Sequence, residues 1–233
     1  MTEIAERLAS VQARIRAAEA QYGRADGSVT LLAVSKTKAA EAVRDAMAAG
    51  QAAFGENYVQ EARDKQDALG SDARAEWHFI GPLQSNKTKH VAPHFDWVHS
   101  VEREKIARRL SEQRPEGLPP LNVCLQVNVS GEESKSGVDP QDVPALADAV
   151  AGLPRLRLRG LMCIPAPAGD FDAQRAPFRA LRELLEALQH RGLELDTLSM
   201  GMSGDLEAAV AEGSTMVRVG TDIFGPRDYP ATT

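Results

Sequence analysis

The sequence predicts an α/β fold: a single (β/α)8 barrel of the TIM kind preceded by one extra helix. Three observations carry that expectation. Eight short apolar runs, many β-branched, recur along the chain. Most are separated by segments of helical period, and strands separated by helices must pair in parallel through crossover connections. No Gly-rich dinucleotide fingerprint follows the first run, which disfavours an open doubly wound sheet. The 233 residues suit one barrel, so a single domain is expected over residues 1–233, with a core large enough to need no staples.

The leading helix is read from Ile4, Leu8, Val11 and Ile15, whose spacing puts them on one face, and the GRADG segment (23–27) ends it. Strands are expected at 30–34, 52–54, 77–80, 97–99, 121–129, 158–164, 195–198 and 216–219. Between them, Ala42, Val43, Ala46 and Met47 form one helical face, closed by Gly50. Ile106 and Leu110 mark another. Leu181, Leu184, Leu185 and Leu188 mark a third, read as packing on the barrel, with Gly192 as its stop. The Pro-rich patches at 115–120 and 165–167 read as loops.

Composition narrows the function classes. With 43% hydrophobic and 26% charged residues, the chain belongs with ordered globular proteins rather than disordered ones. A net charge of −6 and a pI near 5.5 argue against a nucleic-acid partner. No apolar stretch approaches the roughly 18 residues of a membrane span. The charged start, MTEIAERLAS, lacks a signal core, so a cytoplasmic location is expected. Cys124 and Cys163 lie in apolar runs and read as buried free thiols. His90, His94 and His99 match no metal-ligand spacing, and no metal is expected.

In a barrel, function sits at the carboxyl ends of the strands. Lys36 ends the first strand, where desolvation would favour the neutral amine that attacks a carbonyl to form a Schiff base. It could also be a snorkelling surface lysine, as could Lys38. The seventh and eighth loops of a barrel often build a phosphate site. Here the seventh carries Met200-Gly201-Met202-Ser203-Gly204 before a helix, with Ser203 a candidate N-cap, and the eighth carries Gly220-Thr221. Backbone amides at glycines and helix starts can hold an anion, although helix capping alone would also explain the pattern. Asp205 is expected to point away from such an anion. Arg218 lies inside an apolar strand and needs an acceptor. That acceptor could be a neighbouring carboxylate or a ligand atom. Lysine, phosphate cradle and buried arginine together suggest pyridoxal 5′-phosphate, which offers an aldehyde, a phosphate and a ring nitrogen.

The segments LLAVSKTK (31–38), FGENYVQEA (54–62), WHFIGPLQSNK (77–87), VNVSGEESKSGV (127–138), RGLMCIP (159–165) and LSMGMSGDLEAAVAEGSTMVRVGTDIFGPR (198–227) carry a resemblance over nearly the whole chain. They resemble the YggS/PROSC-type pyridoxal phosphate homeostasis proteins, whose barrel is like that of fold-type III alanine racemases. The resemblance implies that Lys36 holds the cofactor as a Schiff base. It implies that Ser203, Gly204, Gly220 and Thr221 hold the phosphate, that Arg218 faces the pyridine nitrogen, and that Asn57 and Met200 line the ring. Lys135 resembles the family's second lysine near the mouth, with an auxiliary role in passing the cofactor in or out or only an electrostatic one. Ala39 departs from the family's frequent proline after SKTK.

The resemblance implies a cofactor carrier, with no catalytic residue assigned. An arginine at the ring nitrogen disfavours protonation there, which weakens the ring as an electron sink. Racemases of the related fold work with such an arginine but add a tyrosine base from a second domain. The chain's length is expected to leave no room for that domain, and Tyr58 is expected to pack on its own helix. The expected partners are pyridoxal phosphate and pyridoxal-phosphate-dependent apoenzymes, with no nucleic acid and no membrane, and a monomer is expected. The alternatives are a minimal racemase of the same fold and an anion-binding module without cofactor.

Overall fold

A computed structural model describes residues 2–70, 75–131 and 136–226. In chain order the elements are α1 (Glu3–Gln21), β1 (Thr30–Val34), α2 (Ala40–Ala48), β2 (Ala53–Glu56), α3 (Val59–Leu69) and β3 (Glu76–Phe79). Then follow α4 (Thr88–Val91), β4 (Trp97–Val101), α5 (Glu104–Gln113), β5 (Leu121–Gln126), α6 (Val143–Ala151) and β6 (Leu156–Met162). The chain continues through α7 (Phe171–His190), β7 (Thr197–Ser199), α8 (Leu206–Ala211), β8 (Met216–Val219) and α9 (Thr221–Phe224). The eight strands pair in parallel in sequence order, and β8 closes on β1 with Thr30 opposite Met216 and Ala33 opposite Val219. The expected barrel and its leading helix are both present.

Strand boundaries moved where local bonding competes with the ladder. β5 stops at Gln126, paired with Met162, because Val127 turns into a bridge with Val138. β7 starts at Thr197 rather than 195, because a tight turn bonds the Leu195 N–H to the Leu193 carbonyl. The side-chain period of two sorts each strand between barrel lumen and helix layer. Leu31 and Ala33 face the outer core, while Leu32 packs inside with Ala53 and Met216. Trp97, Cys124 and Met162 form a second inner cluster. Both cysteines are free and buried, and burial pushes each thiol up to about 12.

The helices cover the outside with the faces read from sequence. Leu8, Val11 and Ile15 of α1 are buried, and α1 packs across α2, α8 and α9. Leu181, Leu185 and Leu188 of α7 are buried, and Gly192 follows at φ +94. Glu212, nearly buried after α8, joins it to α7 through Arg175, Arg179 and Arg182 at 2.7 to 3.3 Å. Burial pushes the Glu212 carboxyl up, but the bonds from Arg179 and Arg175 outweigh it and hold it below the usual range. No helix among the described residues is long and apolar enough to cross a membrane.

Gly160 shows how closely the barrel is drawn. It pairs with Thr197, and a Cβ added there would lie 1.8 Å from the Thr197 carbonyl oxygen. A Gly160→Ala variant should force β6 and β7 apart and lose about 3 kcal/mol of stability. Urea denaturation checks this; a midpoint equal to that of the unmodified protein would contradict it.

Candidate functional site

At the carboxyl ends of the strands lies a cavity of about 270 Å³. Lys36 and Lys38 enter it from the turn after β1, Asn57 from the loop after β2, and Arg218 from β8. Ser203 and Gly204 close one side from the loop after β7, with Gly220 and Thr221 beside them. Val34, Ile80, Ile164, Met202 and Phe224 give it apolar walls. No carboxylate lines it among the described residues.

The sequence alone missed what holds Lys36. The residues after β1 turn sharply, with Thr37 at φ +64, a left-handed conformation costly for a β-branched residue. A buried network pins the turn. Lys65 Nζ donates to the Ser35 carbonyl at 2.6 Å and to Glu56 and Glu61 at 2.7 Å each. Ser35 Oγ donates to Glu56 Oε1 at 2.6 Å, and the Thr37 N–H donates to Glu61. Glu56 is fully buried and Lys65 nearly so. Burial pushes the Glu56 carboxyl above its usual range, with Lys65 pulling the other way. The sequence signal was available: Lys65 falls on the face of α3 that buries Ala62, where an apolar residue would be expected. Lys36 itself is half-buried, and Lys38 donates across the mouth to the Pro226 carbonyl. Ala39 has φ −70, the value a proline ring would impose, so the turn keeps that geometry without the proline.

The two glycine-containing loops meet at the cavity. Among the described residues, the backbone N–H groups of Ser203, Gly204, Gly220 and Thr221 have no acceptor. Ser203 is not the N-cap expected from the sequence. It sits in a turn, and Asp205 takes the cap position of α8. Asp205 Oδ1 accepts from the Met202 N–H at 2.6 Å and is absent from the described lining, which bears out its expected turn away from the cavity. A second unforeseen residue ties the loops together. Arg14 of α1 donates to the Ser203 carbonyl at 3.1 Å, to Glu207 at 2.9 and 3.0 Å, and to Asp222 at 2.9 Å. The leading helix therefore braces both amide-bearing loops.

Arg218 is buried, and its partners are not carboxylates. Nη1 donates to the carbonyl and hydroxyl oxygens of Ser199 at 2.6 and 2.8 Å, and Nη2 to the Cys163 carbonyl at 2.8 Å. Burial lowers its affinity for the proton, against weak support from Cys163 and Asp205. Among the described residues no ion pair offsets this charge. Asn57 Oδ1 is buried at the cavity with no hydrogen-bond partner among them. Met200 is fully buried in the core and is not part of the described lining, whereas Met202 two residues on is. Tyr58 is 59% exposed rather than packed on α3, because it caps that helix in extended conformation. Lys135 lies outside the described residues. Among the described residues no group of three or more His, Cys, Asp or Glu is placed to hold a metal.

Cations, free amides and an unpaired carboxamide oxygen around apolar walls suit a flat, multiply charged anion. The chain matches the family model described as "Alanine racemase, N-terminal domain" over residues 7–228. It is 65% identical over 231 residues to the pyridoxal phosphate homeostasis protein of Pseudomonas aeruginosa, covering 99% of each chain. To the protein of the same name from Escherichia coli K12 it is 55% identical over 232 residues, covering 98% of this chain and 99% of the other. The structure of PipY from Synechococcus elongatus with PLP bound superimposes with a TM-score of 0.83 at 42% identity, covering 96% of this chain and all of PipY.

Removing Lys65 leaves Glu56 buried beside no cation. A Lys65→Met variant should lose about 3 to 5 kcal/mol at pH 8, with part recovered in the Glu56→Gln/Lys65→Met double variant. The sign follows from the raised carboxyl. The loss should be smallest below the ordinary value of 4.5 and should grow as pH rises toward the elevated folded value. Denaturation at pH 5 and pH 8 measures both; a pH-independent loss would contradict the assignment.

Proposed function

The chain belongs to the pyridoxal phosphate homeostasis proteins and carries the alanine racemase N-terminal domain, and from that premise we propose that it binds pyridoxal 5′-phosphate as a Schiff base on Lys36 and delivers it to pyridoxal-phosphate-dependent apoenzymes in the cytoplasm. The observation that carries this reading is the cavity itself. An amine, a guanidinium and four unpaired amides converge on it, and no carboxylate is among its described lining. When bound, the cofactor supplies an aldehyde whose condensation with the Lys36 amine releases one water.

In this reading the chain's own residues divide the work. Ser203, Gly204, Gly220 and Thr221 hold the phosphate through their backbone N–H groups, and Arg14 keeps the two loops in register. Arg218 faces the ring nitrogen. Asn57 brings the buried Oδ1 to the ring's polar edge, and Val34, Ile80 and Met202 cover its faces. Lys38 stays at the rim, and an auxiliary part for Lys135 in passing the cofactor remains part of the proposal.

A carrier is favoured over a racemase by three considerations. Relatives at 55–65% identity are named homeostasis proteins. A guanidinium at the ring nitrogen opposes protonation there and weakens the ring as an electron sink. No tyrosine is among the described cavity lining that could serve as a second base.

Borohydride reduction of the loaded protein, followed by peptide mass spectrometry, should place the adduct on Lys36. Lys36→Ala should lose that adduct, and an equal yield of reduced adduct in the variant would overturn the assignment. Incubation of the loaded protein with L-amino acids in deuterated water should give no sustained Cα exchange. Continued exchange or D-isomer formation would establish the racemase reading instead.

A further inference from the structure

Inside the barrel, beneath the cavity, five polar side chains form a continuous hydrogen-bonded line. Glu76 opens β3 at the amino end of the barrel, and its Oε1 lies 2.7 Å from His78 Nε2. His78 Nδ1 lies 2.9 Å from Nε2 of His99 on β4. His99 Nδ1 lies 2.8 Å from Oγ of Ser199 on β7, which in turn accepts from Arg218 Nη1 at 2.8 Å. His78, His99 and Ser199 are fully buried and Arg218 is 4% exposed, whereas half of the Glu76 side chain meets solvent. The line thus crosses the lumen from β3 and β4 to β7 and β8. It also runs from the solvent-facing amino end to the cavity.

Donor and acceptor chemistry fixes its direction. A guanidinium only donates and a carboxylate only accepts. With both rings neutral, His78 donates from Nε2 to the Glu76 carboxylate and accepts at Nδ1 from His99 Nε2, which leaves His99 Nδ1 to accept the Ser199 hydroxyl proton. Both imidazoles then carry the proton on Nε2. Burial holds both rings below the usual histidine range; Glu76 and Asp96 act against this at His78, while His78 and Arg218 add to it at His99. The hydrogen bond to His78 in turn holds the Glu76 carboxyl below its usual range, against its partial burial and with help from Arg159. His78 is locked in plane by Trp97, stacked at 5.3 Å with an 8° interplanar angle, and Arg159 covers the same indole at 4.6 Å.

We propose that Glu76, His78, His99 and Ser199 are a positioning relay that orients Arg218 toward the cavity and couples cofactor affinity to a carboxylate at the opposite end of the barrel. This rests on the reading that Arg218 faces the cofactor's ring nitrogen. Ser199 is the acceptor that aims Nη1, and a hydroxyl that donates onward is a stronger acceptor than an isolated one. Glu76 sets the direction of every proton in the line. A carboxamide there can donate as well as accept, which would let the whole chain invert and turn Ser199 Oγ toward other donors.

The test combines two readouts. Nitrogen-15 NMR of the apoprotein at pH 7, assigned with His78→Gln and His99→Gln, should show both histidines neutral and protonated on Nε2. A charged ring or an Nδ1–H tautomer at either would overturn the relay. Titration of apoprotein with pyridoxal 5′-phosphate should show the dissociation constant rising about tenfold in Glu76→Gln and in Ser199→Ala, the scale of one buried hydrogen bond. The double variant should be no weaker than either single, since both interrupt one line. Glu76→Gln keeps the side chain's shape at a half-exposed position, so it reports on the relay without unfolding the barrel. If the unmodified protein forms the Lys36 adduct and Glu76→Gln binds with unchanged affinity, the relay fails alone. If the unmodified protein forms no Lys36 adduct, the cofactor reading fails with it.

Discussion

A guanidinium enclosed in a closed barrel constrains everything around it. Arg218 sits on a strand paired on both sides, with its side chain in the lumen, where an unpartnered charge would be expensive. The neighbouring strands answer with oxygens rather than with a carboxylate: the Ser199 carbonyl and hydroxyl and the Cys163 carbonyl. Carbonyls orient a cation without neutralising it. Arg218 therefore keeps a field at the cavity that a salt bridge would have cancelled, and this makes the carboxyl end of the barrel attractive to an anion.

The remaining architecture protects that choice. Potential competitors for Arg218 are occupied elsewhere. Asp205, the acid nearest the amide loop, bonds the Met202 N–H. Glu207 and Asp222, which flank the two loops, are both taken up by Arg14 from α1. Glu56, which ends β2 directly before Asn57, is bonded beneath the surface through Oε1 by Lys65 and Ser35, while its buried Oε2 has no hydrogen-bond partner among the described residues. Each carboxylate near the site thus has its own cation or N–H. Helix α1 lies outside the eightfold repeat, yet it is part of this arrangement, because Arg14 reaches both loops at once.

Much of this was legible in the sequence, for identifiable reasons. All eight strands were visible because a parallel barrel strand is a short apolar run, and β1 and β8 fell at the residues expected, Thr30–Val34 and Met216–Val219. Boundaries drifted where non-ladder bonds ended a strand, as at Val127 and Leu195. Lys36 and the two glycine-containing loops were singled out because chemistry at strand ends is local in sequence, Arg218 because it interrupts an apolar strand, and Asn57 through the family resemblance. What stayed hidden depends on contacts across the barrel. Arg14 reads as one more polar helix residue until α8 and α9 arrive beside it, 189 to 208 positions later. His99 looked like a strand histidine with no role, because its partners His78 and Ser199 lie 21 and 100 positions away. Met200 and Met202 are separated by Gly201 at φ +97, a break in the backbone that a regular pattern does not show.

The barrel's inner layer also bears on why a carrier would use this fold. A lumen filled only with branched apolar side chains would give a stable barrel and no reason for Glu76, His78 and His99 to sit in one line. Satisfied polar networks of this kind fix a single arrangement, since every donor has one acceptor and any displaced member leaves a buried group unpaired. The cavity rim differs: Ile164, Met202 and Thr221 are exposed, and Lys38 spans the mouth to a carbonyl near the end of the described chain. A rigid polar floor beneath an exposed rim separates two requirements. In the proposed reading the floor would fix how a ring nitrogen is met, and the rim would leave the bound group open to solvent and to an acceptor protein. An enzyme that must exclude water during a reaction needs the rim closed as well.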